Sequence, residues 1–306
     1  MRSHFHHMNK IHLFVLTAFL SVCGATWGGE PALVETPSKS DENENSRDLF
    51  NLESTYTFRS DFEKSSLGEG DSFYNDFSYD HRFLIKGNWY FRAGVEYERY
   101  DFDGTNNGLP DKQQAIYGHL AIEYVVHDHA GAMFEIDPGA YFQNHITGTD
   151  SLDIPWKMYV TFPLKKDKVF GVIGLGGGLN QDPIVAPGGG IIWLINDQWR
   201  LEGVFPKPAL VWEVSDNWQL RLLGELLYDS FRTDNITTPE FKLRNAVVQY
   251  SEIRFGVQAR YSLSDRIKAV MGAGYTVRRN WEFFRADESA TVEPAPYVKL
   301  ALEAKF

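Results

Sequence analysis

The last ten residues, YVKLALEAKF, constrain the fold more than any other stretch. Val298, Leu300, Leu302, Ala304 and Phe306 occupy one parity, while Lys299, Glu303 and Lys305 occupy the other. Successive side chains of a strand point to opposite faces, so this period of two predicts a strand with one face in an apolar phase. The chain stops on an aromatic residue.

The same alternation recurs upstream. Phe73, Phe77, Tyr79, Phe83 and Ile85 oppose Asp76, Asp80, Arg82 and Lys86, and after Gly87-Asn88 the pattern returns as Trp89, Phe91, Ala93, Val95 and Tyr97. Continued along the chain, it predicts an all-β antiparallel transmembrane barrel of about 14 strands over residues 50–306, with 12 as the alternative count. After the amino-terminal segment no run of 18 apolar residues exists, which excludes spanning helices. Every second connection is short and rich in Asn, Asp or Gly: 86–88, 127–130, 165–168, 196–198, 215–217 and 263–265. The intervening ones are mostly longer and polar, and short periplasmic turns opposite long extracellular loops are the asymmetry of outer-membrane barrels. Trp89, Trp199 and Trp218 follow short turns, where an interfacial girdle belongs, and Phe62, Phe142, Phe205, Tyr228 and Trp281 are expected at the other rim.

Residues 11–22 form a short apolar run after Lys10, followed by Cys23, Gly24 and Ala25, the pattern of a secretory signal peptide over residues 1–25. Cleavage there removes Arg2 and Lys10, taking the net charge from −11 to −13, and removes the single cysteine unless Cys23 is lipidated. An acidic mature chain disfavours nucleic acid as a partner. Residues 26–49, rich in Pro, Ser, Glu and Asn, are expected to form a disordered periplasmic linker.

From about Gly171 onward the chain resembles a family of bacterial outer-membrane β-barrel proteins known as a domain of unknown function. The resemblance rests on Phe205-Pro206-Lys207-Pro208, on Gly224-Glu225 leading to Tyr228, on residues 248–254 (VQYSEIR) and on Pro294-Ala295-Pro296-Tyr297. It implies a signal peptide, a barrel and the outer membrane, and it carries no activity. The amphipathic closing strand that ends in Phe also resembles the final strand of bacterial outer-membrane β-barrels, which implies that Tyr297, Leu300, Leu302 and Phe306 act as the assembly signal.

Local motifs for chemistry are weak. Residues 174–178 (GLGGG) do not open a helical pattern, so they do not read as a phosphate loop. His127 and His129 flank Asp128 without a third metal ligand at recognisable spacing. Asn144, His145 and Ser151 invite comparison with a Ser-His-Asn hydrolase, but no surrounding motif supports it. No cofactor, metal or catalytic residue is therefore expected. The inward parity is the constellation with physical content: Arg92, Glu96, Glu98, Glu123, Glu135, Lys157, Arg200, Glu202, Arg221, Glu225, Glu252, Arg254, Arg260, Lys268 and Arg278. Facing lipid at mid-depth an Arg or Lys costs about 2–4 kcal/mol, so these charges belong to the lumen. There they either line water, as in a porin-like channel for small solutes, or pair into a closed polar core. The remaining alternatives are a lipid-modifying enzyme and a structural barrel; the expected partners are outer-membrane lipid, the barrel-assembly machinery and a small solute.

Overall fold

A computed structural model describes residues 48–103, 109–125, 131–238, 242–283, 286 and 288–306. The signal peptide, Cys23, nearly all of the linker and the His127-Asp128-His129 turn lie outside the described residues. Among those described, no helix is long and apolar enough to cross a membrane.

The chain folds into a closed antiparallel β-barrel of 14 strands. They are β1 (Asp48–Asp61), β2 (Glu69–Lys86), β3 (Trp89–Asp103), β4 (Lys112–Val125), β5 (Gly131–Ile136 with Gly139–Phe142), β6 (Leu152–Asp153 with Trp156–Lys165) and β7 (Val169–Gly177). Then come β8 (Val185–Leu194), β9 (Trp199–Val204), β10 (Ala209–Glu213), β11 (Trp218–Arg232), β12 (Val247–Ser262), β13 (Ile267–Phe283) and β14 (Glu288–Val292 with Ala295–Lys305). The first strand begins at Asp48, two residues before the expected boundary. Strands β5, β6 and β14 are interrupted at Asp137-Pro138, Ile154-Pro155 and Glu293-Pro294, where proline cannot donate to a ladder. The barrel closes where β1 pairs with β14, from Leu49 opposite Lys305 to Thr57 opposite Tyr297.

The distribution of side chains is inverted relative to a water-soluble domain. Leu52, Ile173, Leu222 and Leu300 are more than half exposed on the outer wall, whereas Glu252, Arg254, Glu135 and Arg279 are at most 1 % exposed. Lipid is the solvent that makes this arrangement stable. Aromatic pairs mark the turn end: Trp199 stacks on Trp212 with ring centres 5.4 Å apart, and Trp218 packs on Tyr261 at 4.6 Å.

One expected lumen residue is corrected. A bulge on β13 leaves Val277 without a partner, since Ile253 pairs with Arg278 while the next residue, Arg254, pairs with Thr276. The inserted residue shifts the parity beyond it by one. Arg278 is therefore exposed on the outer face, and Arg279, Trp281 and Phe283 turn inward. Trp281 is consequently buried inside the loop end instead of forming an outer rim, and Phe62, beyond the end of β1, is buried with it, ring centres 5.8 Å apart.

The wall approaches itself closely on the β2–β3 hairpin. A Cβ on Gly94 would lie 2.1 Å from Asp80 Oδ1 and 2.3 Å from the Tyr79 carbonyl oxygen, whereas one on Gly118 would meet nothing nearer than 3.6 Å. Gly94→Ala is expected to destabilise the folded barrel by about 2 kcal/mol and Gly118→Ala by less than about 0.5 kcal/mol, measured by urea unfolding in lipid vesicles.

Candidate functional site: the filled interior and its stepped shoulder

The inward parity pairs with itself. Arg92 donates to Glu123 (Nε to Oε1, 2.8 Å) and to Glu135, which also takes Lys157 Nζ at 2.5 Å. Arg82 reaches the other Glu123 oxygen at 2.8 Å. His119 bridges Asp80 (3.1 Å) and Glu96 (2.8 Å), and Tyr117 donates to Glu98 at 2.9 Å. A second chain runs across β10–β14. Lys207 binds Glu225 at 3.0 Å, Arg254 grips Glu252 through two nitrogens at 2.8 and 3.0 Å, and the Arg254 guanidinium lies 5.3 Å from the centre of the Tyr297 ring. Nearer the turn end, Glu202 accepts from Arg200 (2.6 Å) and Arg221 (2.8 Å), and Arg260 donates to Glu303 at 2.7 Å. Lys268 is half-buried beside them, opposite Glu303 in register. Of the expected lumen residues, all but Arg278 are thus buried or half-buried.

Of the four expected assembly-signal residues, Leu300, Leu302 and Phe306 are exposed, whereas Tyr297 is turned inward and 1 % exposed. Phe306 also exchanges backbone hydrogen bonds with Asp48, each 2.9 Å.

The height of the wall is uneven, and this shapes the interior. Strands β1–β4 and β11–β13 run for 14 to 18 residues, while β9 and β10 have six and five. At 3.3 Å per residue and a barrel tilt near 40°, six residues rise about 15 Å, well short of an apolar band of about 25 Å. The β9–β10 hairpin therefore turns inside the hydrocarbon depth, at Phe205-Pro206-Lys207-Pro208. Two prolines suit that depth because they bring no backbone donor. The carbonyls of Pro206 and Pro208 accept from Leu226 (3.0 Å) and Gly224 (2.9 Å), and Lys207 turns inward to Glu225. Above the hairpin no described strand lies between β8 and β11.

Toward the loop end the tall strands close on themselves. Phe142 of β5 bridges Arg232 of β11, Gln143 N donates to the Arg232 carbonyl at 2.9 Å, and Asp234 N donates to Gln143 Oε1 at 3.0 Å. Inside that narrower tube sits an aromatic core, with Tyr100 and Tyr250 at 5.1 Å, Tyr250 and Trp281 at 4.8 Å, and Phe102 and Trp281 at 4.9 Å between ring centres. The barrel axis is thereby filled at its loop end. The short strands leave a shoulder, over which residues 178–184 run as a strap. Asp153 holds it by accepting from the amides of Leu179 (3.0 Å) and Asn180 (3.1 Å). From β11, Tyr228 donates to the Asp182 carbonyl at 2.5 Å and Arg232 to Asn180 Oδ1 at 3.1 Å. Behind the strap is a cavity of about 20 Å³ bordered by Glu98, Asp137, Asp153 and Asp229, with the Tyr117 and Tyr141 rings at its side.

Alternation placed Glu98 and Lys157 inside but did not single out Lys207, Asp137, Asp153 or Asp229. Asp137 and Asp153 sit at strand interruptions, and the sequence signal for both was a proline one or two residues later. The hydrolase-like residues do not converge on one another. His145 is exposed and contacts Asp234 at 3.3 Å, Asn144 reaches toward Asp111, and Ser151 Oγ accepts the Thr147 amide at 2.8 Å. Residues 174–177 lie within strand β7, not before a helix. No group of three potential metal ligands occurs among the described residues.

The family profile described as Domain of unknown function (DUF6268) matches residues 132–304. The chain belongs to this family. The family's part of the chain contains the hairpin, the strap and all of β6–β13. A search among curated proteins returns no match. Among solved structures, an outer membrane channel from Pseudomonas putida F1 is similar at 8 % identity, covering 85 % of this chain and 96 % of that one with a TM-score of 0.45. The translocator domain of the autotransporter NalP from Neisseria meningitidis is similar at 10 % identity, covering 100 % of both chains with a TM-score of 0.42. LpxR from Salmonella typhimurium is similar at 8 % identity, covering 84 % of this chain and 100 % of that one with a TM-score of 0.38. Likenesses this distant carry nothing about activity.

The Lys207–Glu225 pair links the hairpin to β11. Breaking a buried pair from one side strands the other charge, so Lys207→Met is expected to cost about 3 kcal/mol in vesicle unfolding. The double variant Lys207→Met/Glu225→Gln should recover most of that loss.

Proposed function

We propose that this protein is a passive channel for small solutes across the outer membrane, and that its route leaves the barrel through the shoulder instead of along the axis. One observation carries the reading: the aromatic core of Tyr100, Phe102, Tyr250 and Trp281 fills the axis at the loop end, whereas the shoulder is covered by the single strap of residues 178–184. Below the strap the interior is polar, which suits hydrated or hydrogen-bonding solutes. The Ser-His-Asn hydrolase reading lacks support, since Asn144, His145 and Ser151 do not converge on one another. A structural barrel is the runner-up.

Purified protein in a planar bilayer tests the route. Replacing Leu179–Asp182 by two glycines is expected to raise the open probability severalfold. Trp281→Ala alone should leave the strap-dependent opening in place. Folded protein that gives a silent bilayer with every variant would shift the assignment to a structural role.

For biogenesis we propose export through the signal peptide and recognition of the closing strand by the barrel-assembly machinery. Phe306 supports this reading through its exposed ring and its contact with Phe50, 6.1 Å between ring centres. Deleting Phe306 is expected to lower membrane insertion far more than Lys305→Ala, scored by heat-dependent gel mobility of the membrane fraction.

A further inference from the structure

The cavity behind the strap is chemically one-sided. Glu98, Asp137, Asp153 and Asp229 border it, and no lysine or arginine is among the described residues of its lining. Two of these carboxylates are occupied in a neutral way: Glu98 accepts from the Tyr117 hydroxyl and Asp229 from the Tyr100 hydroxyl, each at 2.9 Å. Asp153 is engaged by backbone amides. Asp137 is different. Its Oδ1 is buried without a hydrogen-bond partner in the protein, and Oδ2 lies 3.9 Å from Lys157 Nζ.

An independent side chain is also left unpaired. Ser230 borders the cavity, is 4 % exposed, and its hydroxyl has no partner in the protein. A buried polar atom left unpaired costs free energy, and a buried carboxylate costs more unless a cation meets it. Lys157 already faces Asp137 Oδ2, so what the site lacks is a donor to Asp137 Oδ1, and a positively charged donor would make that bond charge-assisted. A volume of about 20 Å³ holds one water-sized group. That is the size of a primary ammonium head, and the stacked Tyr117 and Tyr141 rings, 5.5 Å apart at 17°, supply aromatic faces of the kind that attract such a head.

The surroundings define the rest of the ligand. Leu152, Ile154, Leu179, Ile184 and Val185 are all roughly half exposed or more around the strap, and they continue the lipid-facing belt of β6–β8. A molecule arriving at the strap thus comes from an apolar medium and meets a carboxylate-lined cavity immediately behind it. We infer that the shoulder cavity is a binding site for primary alkylammonium compounds, with the ammonium head between Asp137 and Ser230 and the alkyl tail directed past Leu179 and Ile184 into the outer leaflet. The site would make the shoulder route selective for amphiphilic cations, which rests on the channel reading above. Its test does not, because binding is measured at equilibrium in detergent without a membrane potential or flux.

Isothermal titration of the folded full-length protein in nonionic detergent should show saturable binding of hexylammonium. Hexanol and hexanoate should bind at least about tenfold more weakly, as expected when a charge-assisted bond to a buried carboxylate is lost. Ammonium ion alone tests the head without the tail and should bind more weakly than hexylammonium. Asp137→Asn, nearly isosteric, should weaken hexylammonium about tenfold or more while heat-dependent mobility shows the barrel intact. Ser230→Ala should weaken it severalfold, and Glu303→Gln, remote from the cavity, should leave it unchanged. Tyr228→Phe, which frees the strap from β11, should accelerate association with the preference for ammonium over hexanol retained. Equal binding of hexylammonium and hexanol would overturn the proposal in favour of an apolar surface patch. Absence of saturable binding would mean that the cavity holds water only. Undiminished binding to folded Asp137→Asn would place the head elsewhere.

Discussion

The pairing of β1 with β14 is the contact on which every other feature depends. In hydrocarbon each unpaired backbone amide or carbonyl costs several kcal/mol, so a sheet in lipid must have no edge. The nine-residue register from Leu49–Lys305 to Thr57–Tyr297 joins the two ends of the sequence and removes both edges at once. With closure supplied, side-chain patterning is free to invert: apolar residues can remain outside, and the charged parity has a shielded interior in which to pair. Opening that seam would expose the ladders of β1 and β14 together with the buried Lys299–Glu53 pair (2.6 Å), which spans it.

Closure does not require strands of equal length, and this chain departs from equality on one side only. The short β9 and β10 satisfy the rule locally, by ending in a proline-rich hairpin whose carbonyls are taken by β11. Beyond them the structure uses a different device. A strap bound by Asp153, Tyr228 and Arg232 covers the gap, and side chains substitute for the missing strand. Ladder hydrogen bonds between long strands are lost only cooperatively, whereas a loop held by a few side-chain bonds can open alone. The shoulder is therefore the part of the wall where opening costs least.

The period of two made the barrel and its strand count legible because lipid imposes it on almost every residue of the wall, and Trp89, Leu222 and Leu300 obey it. Pairing inside the lumen was half legible. Alternation put Arg92, Glu135 and Arg254 on one face, but a periodicity says nothing of the distance between strands far apart in sequence. Arg278 shows where the method fails: one bulge residue, Val277, has no signature in the alternation, and everything beyond it changes face. The shoulder was hidden for another reason. Strand length decides it, and a short strand such as Ala209–Glu213 looks in sequence like a poorly resolved long one. Lys207 lay in a connection that broke the trend of long loops, and that irregularity was the trace of the step.

The distribution of charge inside the barrel separates stability from function. Arg92 meets three carboxylates and Arg254 two at bonding or near-bonding distance, an arrangement in which attraction offsets the cost of desolvation. Selection for stability alone would extend that balance to every buried acid. Buried atoms such as Asp76 Oδ1 and Trp281 Nε1 depart from it, and so do Asp137 Oδ1 and Ser230 Oγ, which are left unpaired behind the strap. Of these polar deficits, the one behind the strap is where a ligand from outside the protein can supply what the fold itself leaves out, because only a loop held by a few side-chain bonds covers it.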